Sequence, residues 1–300
     1  MPAPTSDPTW SRLVRFIPSP TIDDPVPGPT LGEPVDVAID VGLAYHEGVM
    51  IEVWLLYGDP QRPWTAGRRT GEKRVVAHLL CPVSNEICGT IRATGLSYKD
   101  HAAELNMPLP AVPSVFFKPS TSLANPSETI HIPLEAQNEE MDYEVELAIV
   151  LSRTCKDVSE NEALSYVLGW TCANDLTARK VQATSSQWGY SKGFDKFLPL
   201  GPVLVSPRAL PDPHIVALQT YLNGQLMQDG SAKKMIFPLS KVISYLSQGT
   251  TLPAGTVIIT GTPPGIGDGR TPKVWLKHND EVRCWISHGI GTLINRIEYQ

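Results

Sequence analysis

Met141-Asp142-Tyr143-Glu144-Val145-Glu146-Leu147-Ala148-Ile149-Val150-Leu151 is the stretch on which the fold turns. It starts as an alternation of apolar and acidic residues and ends as a continuous apolar run. On a strand, Val145, Leu147 and Ile149 share one face and Glu144 and Glu146 share the other. The apolar block predicts burial at that end. Two carboxylates so placed need compensation, because like charges raise each other's pKa and burial penalises both. A divalent cation supplies it. An edge strand with a solvated acidic face is the other reading, common in half-exposed antiparallel sheets, and the stretch alone leaves both open.

Around this stretch lie 300 residues, enough for one large domain or two smaller ones. At 42% hydrophobic and 19% charged, the composition is that of a soluble globular protein. A net charge of −6 argues against a broad nucleic-acid surface but leaves room for a small anionic substrate. The five cysteines form no C-x-x-C pair and read as reduced, intracellular thiols without zinc spacing. No apolar run approaches the roughly 20 residues of a membrane span. Met1–Trp10 lacks the basic and apolar regions of a secretory leader. A cytoplasmic location is expected, with a mitochondrial one left open.

With 28 Pro and 23 Gly between short apolar runs, the chain reads as β-rich. Strands are expected at Leu13–Ile17, Val35–Ile39, Met50–Tyr57, Val115–Lys118, Ile130–Ile132, Leu200–Val205, His214–Tyr221, Val257–Thr260, Lys273–Leu276, Asp280–Ile286 and Gly289–Ile297. Asn223-Gly224 marks a hairpin. Helices are expected at Asn161–Trp170 and Ile236–Ser247. Nothing before residue 90 suggests chemistry, so the expected division is a small N-terminal domain, 1–90, and a catalytic domain, 91–300.

Three further features carry chemistry. His101 and Glu104 share a helix face, and a carboxylate beside an imidazole suits a general base, although an incidental surface pair is equally readable. Asp175 is a third carboxylate for the same cation or an N-cap for Leu176–Gln182. Gly261-Thr262-Pro263-Pro264-Gly265 follows a buried strand and either presents N–H groups to an anion or forms a rigid turn. It lacks the Gly-Lys-Ser/Thr ending of a nucleotide loop.

Six segments in order resemble the fumarylacetoacetate hydrolase family: Gly95-Leu96-Ser97-Tyr98-Lys99-Asp100-His101-Ala102-Ala103-Glu104, Tyr143–Leu147, Asn174–Arg179, Gln187-Trp188 to Lys192, Asn223-Gly224 and Thr260–Gly265. The resemblance is narrowest to the branch of acylpyruvases, oxaloacetate decarboxylases and hydratase/isomerase/decarboxylase enzymes. It implies an α+β, predominantly β fold, with a mixed β-sandwich roll or barrel-like C-terminal domain, and a homodimer. It implies Glu144, Glu146 and Asp175 as ligands of Mg²⁺ or Mn²⁺, with Ca²⁺ able to substitute in a crystal. Hard oxygen donors suit those ions. His101 and Glu104 match the family's lid-helix dyad and Lys192 its substrate-facing lysine. Tyr98, Arg179, Gln182 and Thr262 match substrate contacts. The implied activity is metal-dependent C–C cleavage in a small anionic 2-oxo or 1,3-dicarbonyl acid, by acylpyruvate hydrolysis or oxaloacetate decarboxylation through a stabilised enolate. Isomerisation or hydration through the same enolate is the alternative, and a non-catalytic binding protein a third. The chain departs from the usual pattern at Ser97, where Asn is frequent, and at Gly193 after Lys192.

Overall fold

The computed structural model describes residues 8–138 and 140–300. The leader-free reading of Met1–Trp10 falls mostly outside that range. Val145–Leu151 is an internal strand with every residue buried. It pairs antiparallel with Val167–Asn174, Glu146 opposite Ala173, and on its other edge with Val257–Ile259, Ala148 opposite Ile259. The solvated edge-strand alternative is thereby excluded. A strand covered on both faces and both edges carries its acids into the interior.

Its two faces serve two cores. Val145, Leu147 and Ile149 pack with Trp170, Cys172 and Leu218. Ala148 and Val150 pack on the opposite face with Leu168, Leu204 and Ile259. Glu146 belongs to this second face, at the strand end where the apolar lining stops.

The strand lies within an eleven-stranded mixed sheet. Along its main path run Thr30–Pro34, Glu52–Leu56, Arg69–Leu80, Arg12–Pro18, Leu198–Val205, Val167–Asn174, Val145–Leu151, Val257–Ile259, Ile91–Gly95 and Ser114–Lys118. Arg12–Pro18 pairs with Arg69–Leu80 through Arg15 and Leu80, and with Leu198–Val205 through Leu13 and Leu204. The N-terminal strands therefore continue directly into the sheet that holds the acids. A second, five-stranded sheet runs Gln225–Ser231, Ala217–Leu222, Glu281–Ile286, Gly291–Tyr299 and Ile130–Ile132. Its strands Glu281–Ile286 and Gly291–Tyr299 pack on Val167–Asn174. The result is the expected α+β, predominantly β, barrel-like roll. The hairpin between the first two of these strands turns at Asn223 and Gly224, with φ +50 and +81, the geometry that favours Asn-Gly.

Four local expectations are corrected. The helix expected over Asn161–Trp170 is one turn, Glu160–Ala163, then a tight turn Leu164–Tyr166, and from Val167 the chain is strand. A short apolar run does not distinguish helix from buried strand, and here pairing with Val145–Leu151 decides. Gly169 permits it: a Cβ there meets Leu204 Cγ at 2.6 Å. The strand expected at Val35–Ile39 lies earlier, at Thr30–Pro34, and Asp40 instead caps the helix Val41–His46 by accepting from Leu43 N. Lys273–Leu276 is irregular. Val274 N bonds Gly267 O, and Leu276 N bonds Met141 O. The helix expected at Ile236–Ser247 begins later, at Leu239 after Pro238, and buries Val242, Ile243 and Leu246.

Candidate active site

Glu144 immediately precedes the central strand, Glu146 lies inside it, and Asp175 follows the neighbouring strand. The two strand ends are tied together: Asp175 N donates to Glu144 O at 2.9 Å, and Glu144 N donates to Asn174 Oδ1 at 3.0 Å. The three carboxylates are buried, and one ligand atom from each lies within 4.8 Å of the others.

Cationic side chains hold this cluster. Lys192 Nζ donates to Glu144 Oε2, Asp175 Oδ2 and Thr177 Oγ1, each at 2.7 Å. Arg179 donates to Asp142 Oδ2 at 2.8 Å, Glu144 Oε1 at 2.5 Å and Gln182 Oε1 at 3.1 Å. Lys118 Nζ donates to Asp175 Oδ1 at 2.5 Å and to Phe197 O at 2.7 Å. Burial opposes ionisation of Glu144, but Lys192 and Arg179 outweigh it and draw its pKa down to about 2. Glu146 goes the other way. Burial raises its pKa well above the ordinary value, and Asp175 and Glu144 add to the rise. Burial lowers Lys192, yet Asp175 and Glu144 leave it raised on balance. Lys118 is lowered, by burial against the pull of Asp175.

Asp142, Glu144, Glu146 and Asp175 thus face Lys118, Arg179 and Lys192, leaving one carboxylate in excess. Glu146 Oε2 accepts from Gly261 N at 2.6 Å, and Oε1 has no hydrogen-bond donor among the described residues. An all-oxygen set with one unengaged carboxylate oxygen and surplus negative charge fits a hard divalent cation such as Mg²⁺ or Mn²⁺.

The glycine loop expected to offer N–H groups to an anion offers them to the site's own acids. Gly261 N serves Glu146, Gly265 N donates to Glu104 Oε1 at 2.8 Å, and Gly267 N to Asp142 Oδ1 at 2.7 Å. Gly261 needs to be glycine: its φ is +87, and a Cβ comes within 2.6 Å of Ser97. Thr262 Oγ1 donates to Val145 O at 2.8 Å and accepts from Gln228 Nε2 at 2.7 Å, which anchors the loop to the central strand.

The helix Lys99–Glu104 brings His101 to the same cavity, with His101 Nδ1 2.8 Å from Glu104 Oε2. A carboxylate only accepts, so this contact places the imidazole proton on Nδ1 and leaves the Nε2 lone pair free to take a proton. The cavity has a volume of about 550 Å³ and is lined by His101, Glu144, Glu146, Asp175, Arg179, Gln182, Lys192 and Thr262. Glu104 supports His101 from behind. Tyr98 does not line the cavity. It is fully buried with its hydroxyl unpartnered, and burial, reinforced by Glu146 and Asp100, raises its pKa.

Sequence reasoning missed Lys118 and Asp142. Strand periodicity held the clue to Lys118, since it shares a face with Phe116 and both are buried. Asp142 continues the alternation of Glu144 and Glu146 by two residues. It accepts from Gly267 and Asp268 as well as from Arg179.

Residues 90–298 match the family model described as the fumarylacetoacetate hydrolase C-terminal domain. The chain is 42% identical over 299 residues to a caffeoylpyruvate hydrolase of Neonothopanus nambi, covering 99% of this chain and 96% of that protein. It is 39% identical over 221 residues to a mitochondrial oxaloacetate tautomerase of Xenopus laevis, covering 73% of this chain and 68% of that one. The crystal structure of a 2-hydroxyhepta-2,4-diene-1,7-dioate isomerase from Mycobacterium marinum superposes with a TM-score of 0.77 at 30% identity, covering 97% of this chain and 99% of that one. No helix among the described residues is long and apolar enough to cross a membrane. The chain is an enzyme of the fumarylacetoacetate hydrolase family.

Proposed function

We propose that this enzyme hydrolyses an acylpyruvate, using Mg²⁺ or Mn²⁺ held by Glu144, Glu146 and Asp175. The observation that carries the reading is one cavity holding a buried three-carboxylate cluster, a lysine against it and an imidazole oriented by a carboxylate. The full-length similarity to a caffeoylpyruvate hydrolase supports the hydrolytic outcome. The bound cation supplies charge stabilisation for the oxygens of a 2-oxo acid.

The chain's own groups account for the rest. His101 Nε2 takes a proton from water, which adds to the acyl carbonyl. The bond between that carbon and the pyruvate methylene breaks. Its electron pair passes into the pyruvate fragment, and protonation there gives pyruvate and a free carboxylic acid. Lys192 places a positive charge beside the oxygen on which negative charge develops, where a water-poor setting makes it most effective. Glu104 holds the imidazole in its productive tautomer. The glycine loop fixes Glu104 and Glu146 relative to each other.

A second reading, tautomerisation or isomerisation of an oxo acid, is favoured by the relatives named for those activities. It uses Lys192 and His101 as proton carriers without addition of water. The test is turnover of acylpyruvates and oxaloacetate with Mn²⁺, with products identified by mass spectrometry. Pyruvate and a free acid are expected from acylpyruvates. Tautomer exchange without cleavage supports the second reading, and no turnover of any oxo acid overturns both. The enzyme is further taken to act as a homodimer, which sedimentation velocity tests.

A further inference from the structure

We propose that the acyl end of the substrate is a neutral, planar aromatic group seated against Phe116 and Trp188, and that Trp188 sets the preference for it. This inference rests on the acylpyruvate reading above.

The cavity is much larger than the reacting fragment requires. About 550 Å³ falls within the range of roughly 300–1,000 Å³ that accommodates drug-sized ligands. A four-carbon oxo acid at the carboxylate cluster leaves most of it to water. The surplus space is bounded by aromatic surface. Lys192 Nζ stands 5.2 Å from the centroid of the Phe116 ring. Phe116 meets Trp188 edge to face, with centroids 5.5 Å apart and an interplanar angle of 68°. The indole lies on Gly95, where a Cβ comes within 2.3 Å of Trp188 Cζ3. The aromatic wall therefore begins at the lysine beside the reacting oxygens and runs outward, and only glycine at position 95 leaves room for it. Leu96, Leu105 and Met107, from the segment around the His101 helix, line the same space.

Charge disfavours a second carboxylate at that end. The cationic residues lining the cavity are Arg179, Lys180, Lys192 and Lys273. Each is already paired, Arg179 with Asp142 and Glu144, Lys180 with Glu140, Lys192 with Glu144 and Asp175, and Lys273 with Asp268. Arg179 and Lys192 are held in buried pairs, and Lys180 and Lys273 are largely exposed, where water screens them, so a distal anion gains little, whereas a flat ring finds an aromatic face. Stacked or edge-on ring pairs add attraction beyond ordinary area burial, worth up to about tenfold in affinity.

The test compares kcat/KM for acetylpyruvate, a straight-chain hexanoylpyruvate and benzoylpyruvate in wild type, Trp188→Leu, Trp188→Phe and Gly95→Ala. In wild type the aryl substrate is expected to lead acetylpyruvate by about tenfold or more and to exceed the straight chain. Trp188→Leu keeps an apolar side chain but removes the ring, and should cut the aryl-to-acetyl ratio about tenfold through KM, with Trp188→Phe restoring most of it. Gly95→Ala keeps every aromatic residue but displaces the indole, and should shift the ratio the same way. Equal turnover of acetyl and aryl substrates in wild type overturns the inference and leaves the hydrolase reading standing. So does an unchanged ratio in Trp188→Leu and Gly95→Ala alike. Turnover of no acylpyruvate overturns both.

Discussion

The floor of the cavity and its mouth are built on opposite principles. At the floor, Glu144, Glu146 and Asp175 lie on or beside internal strands, Lys118 ends an edge strand of the same sheet and Lys192 lies in a turn packed on them; all are buried, and almost every polar atom is engaged. At the mouth, Met107, Ala183 and Trp188 come from short helices and loops and are partly or largely exposed. Rigid strands place charges to within a hydrogen bond, as the proposed reaction through a charged intermediate requires. Loops tolerate exchange of side chains, so they suit the part of the site that chooses a substrate. The floor is therefore expected to decide whether the enzyme works, and the mouth on what.

Removing a floor carboxylate should give the largest effect. Glu146→Ala is expected to lower kcat by about a thousandfold or more on every oxo acid, equivalent to roughly 4 kcal/mol of barrier. Steady-state assays at saturating Mn²⁺ check it. A loss confined to one substrate breaks the division between floor and mouth. Next is Lys118→Met, which keeps the length of the side chain but leaves Asp175 Oδ1 without its donor. Removing one partner of a buried ion pair costs about 3–5 kcal/mol, here at the lower end because Lys192 still faces Asp175. Chemical denaturation measures it, and a cost near zero means that Lys118 is dispensable to the floor.

Glu104→Gln acts between the two regions, on the element that links helix to glycine loop. Losing the carboxylate that orients His101 should slow hydrolysis by about ten- to a hundredfold. Any tautomerase activity, which uses His101 only as one of two proton carriers, should fall less. Parallel assays of cleavage and tautomer exchange decide it, and equal losses make the oriented imidazole equally limiting in both reactions.

The same contrast governs what the sequence revealed. Glu144 and Glu146 were half legible: acids leading into an apolar run demand an explanation, but the stretch alone left a solvated edge open, and the resemblance over six segments was needed to name them as ligands. Val257–Ile259 and the Asn223-Gly224 hairpin were legible from local chemistry alone. The helix expected over Asn161–Trp170 failed because Val167-Leu168-Gly169-Trp170 is apolar enough for either structure, and only its partner strand decides. Val35–Ile39 failed because it is turn: Asp36 Oδ1 accepts from Ala38 N, and the segment leads into Asp40, which caps the helix Val41–His46. Lys118 was readable in principle, since period two places it beside the buried Phe116. The wall of Phe116, Trp188 and Gly95 was not, because no local pattern brings residues so distant in sequence into contact.

The smallest effect sharpens the account of Glu146 itself. Its folded pKa is raised above the ordinary value of 4.5, by burial first and then by Asp175 and Glu144. A carboxylate raised on folding binds its proton more tightly in the folded state, so metal-free protein loses stability as pH climbs above 4.5 toward the folded value. Asp142, also raised by burial, adds to the same slope from 3.8 upward. Glu144 has the opposite sign: its stabilisation builds between its folded pKa of about 2 and the ordinary value of 4.5 and is complete above that, so it does not offset the slope at higher pH. Glu146→Gln removes the ionisable group and keeps an oxygen for Gly261 N. In metal-free protein at neutral pH the variant should melt above wild type, with a shallower loss of stability between acid and neutral pH. Added Mn²⁺ should raise the melting temperature of wild type, since a ligand of the folded state alone stabilises it, and the variant should show little of that rise. If the variant melts below wild type without metal and still responds to Mn²⁺, Glu146 is a structural hydrogen-bond acceptor for the loop, and the cation is held elsewhere.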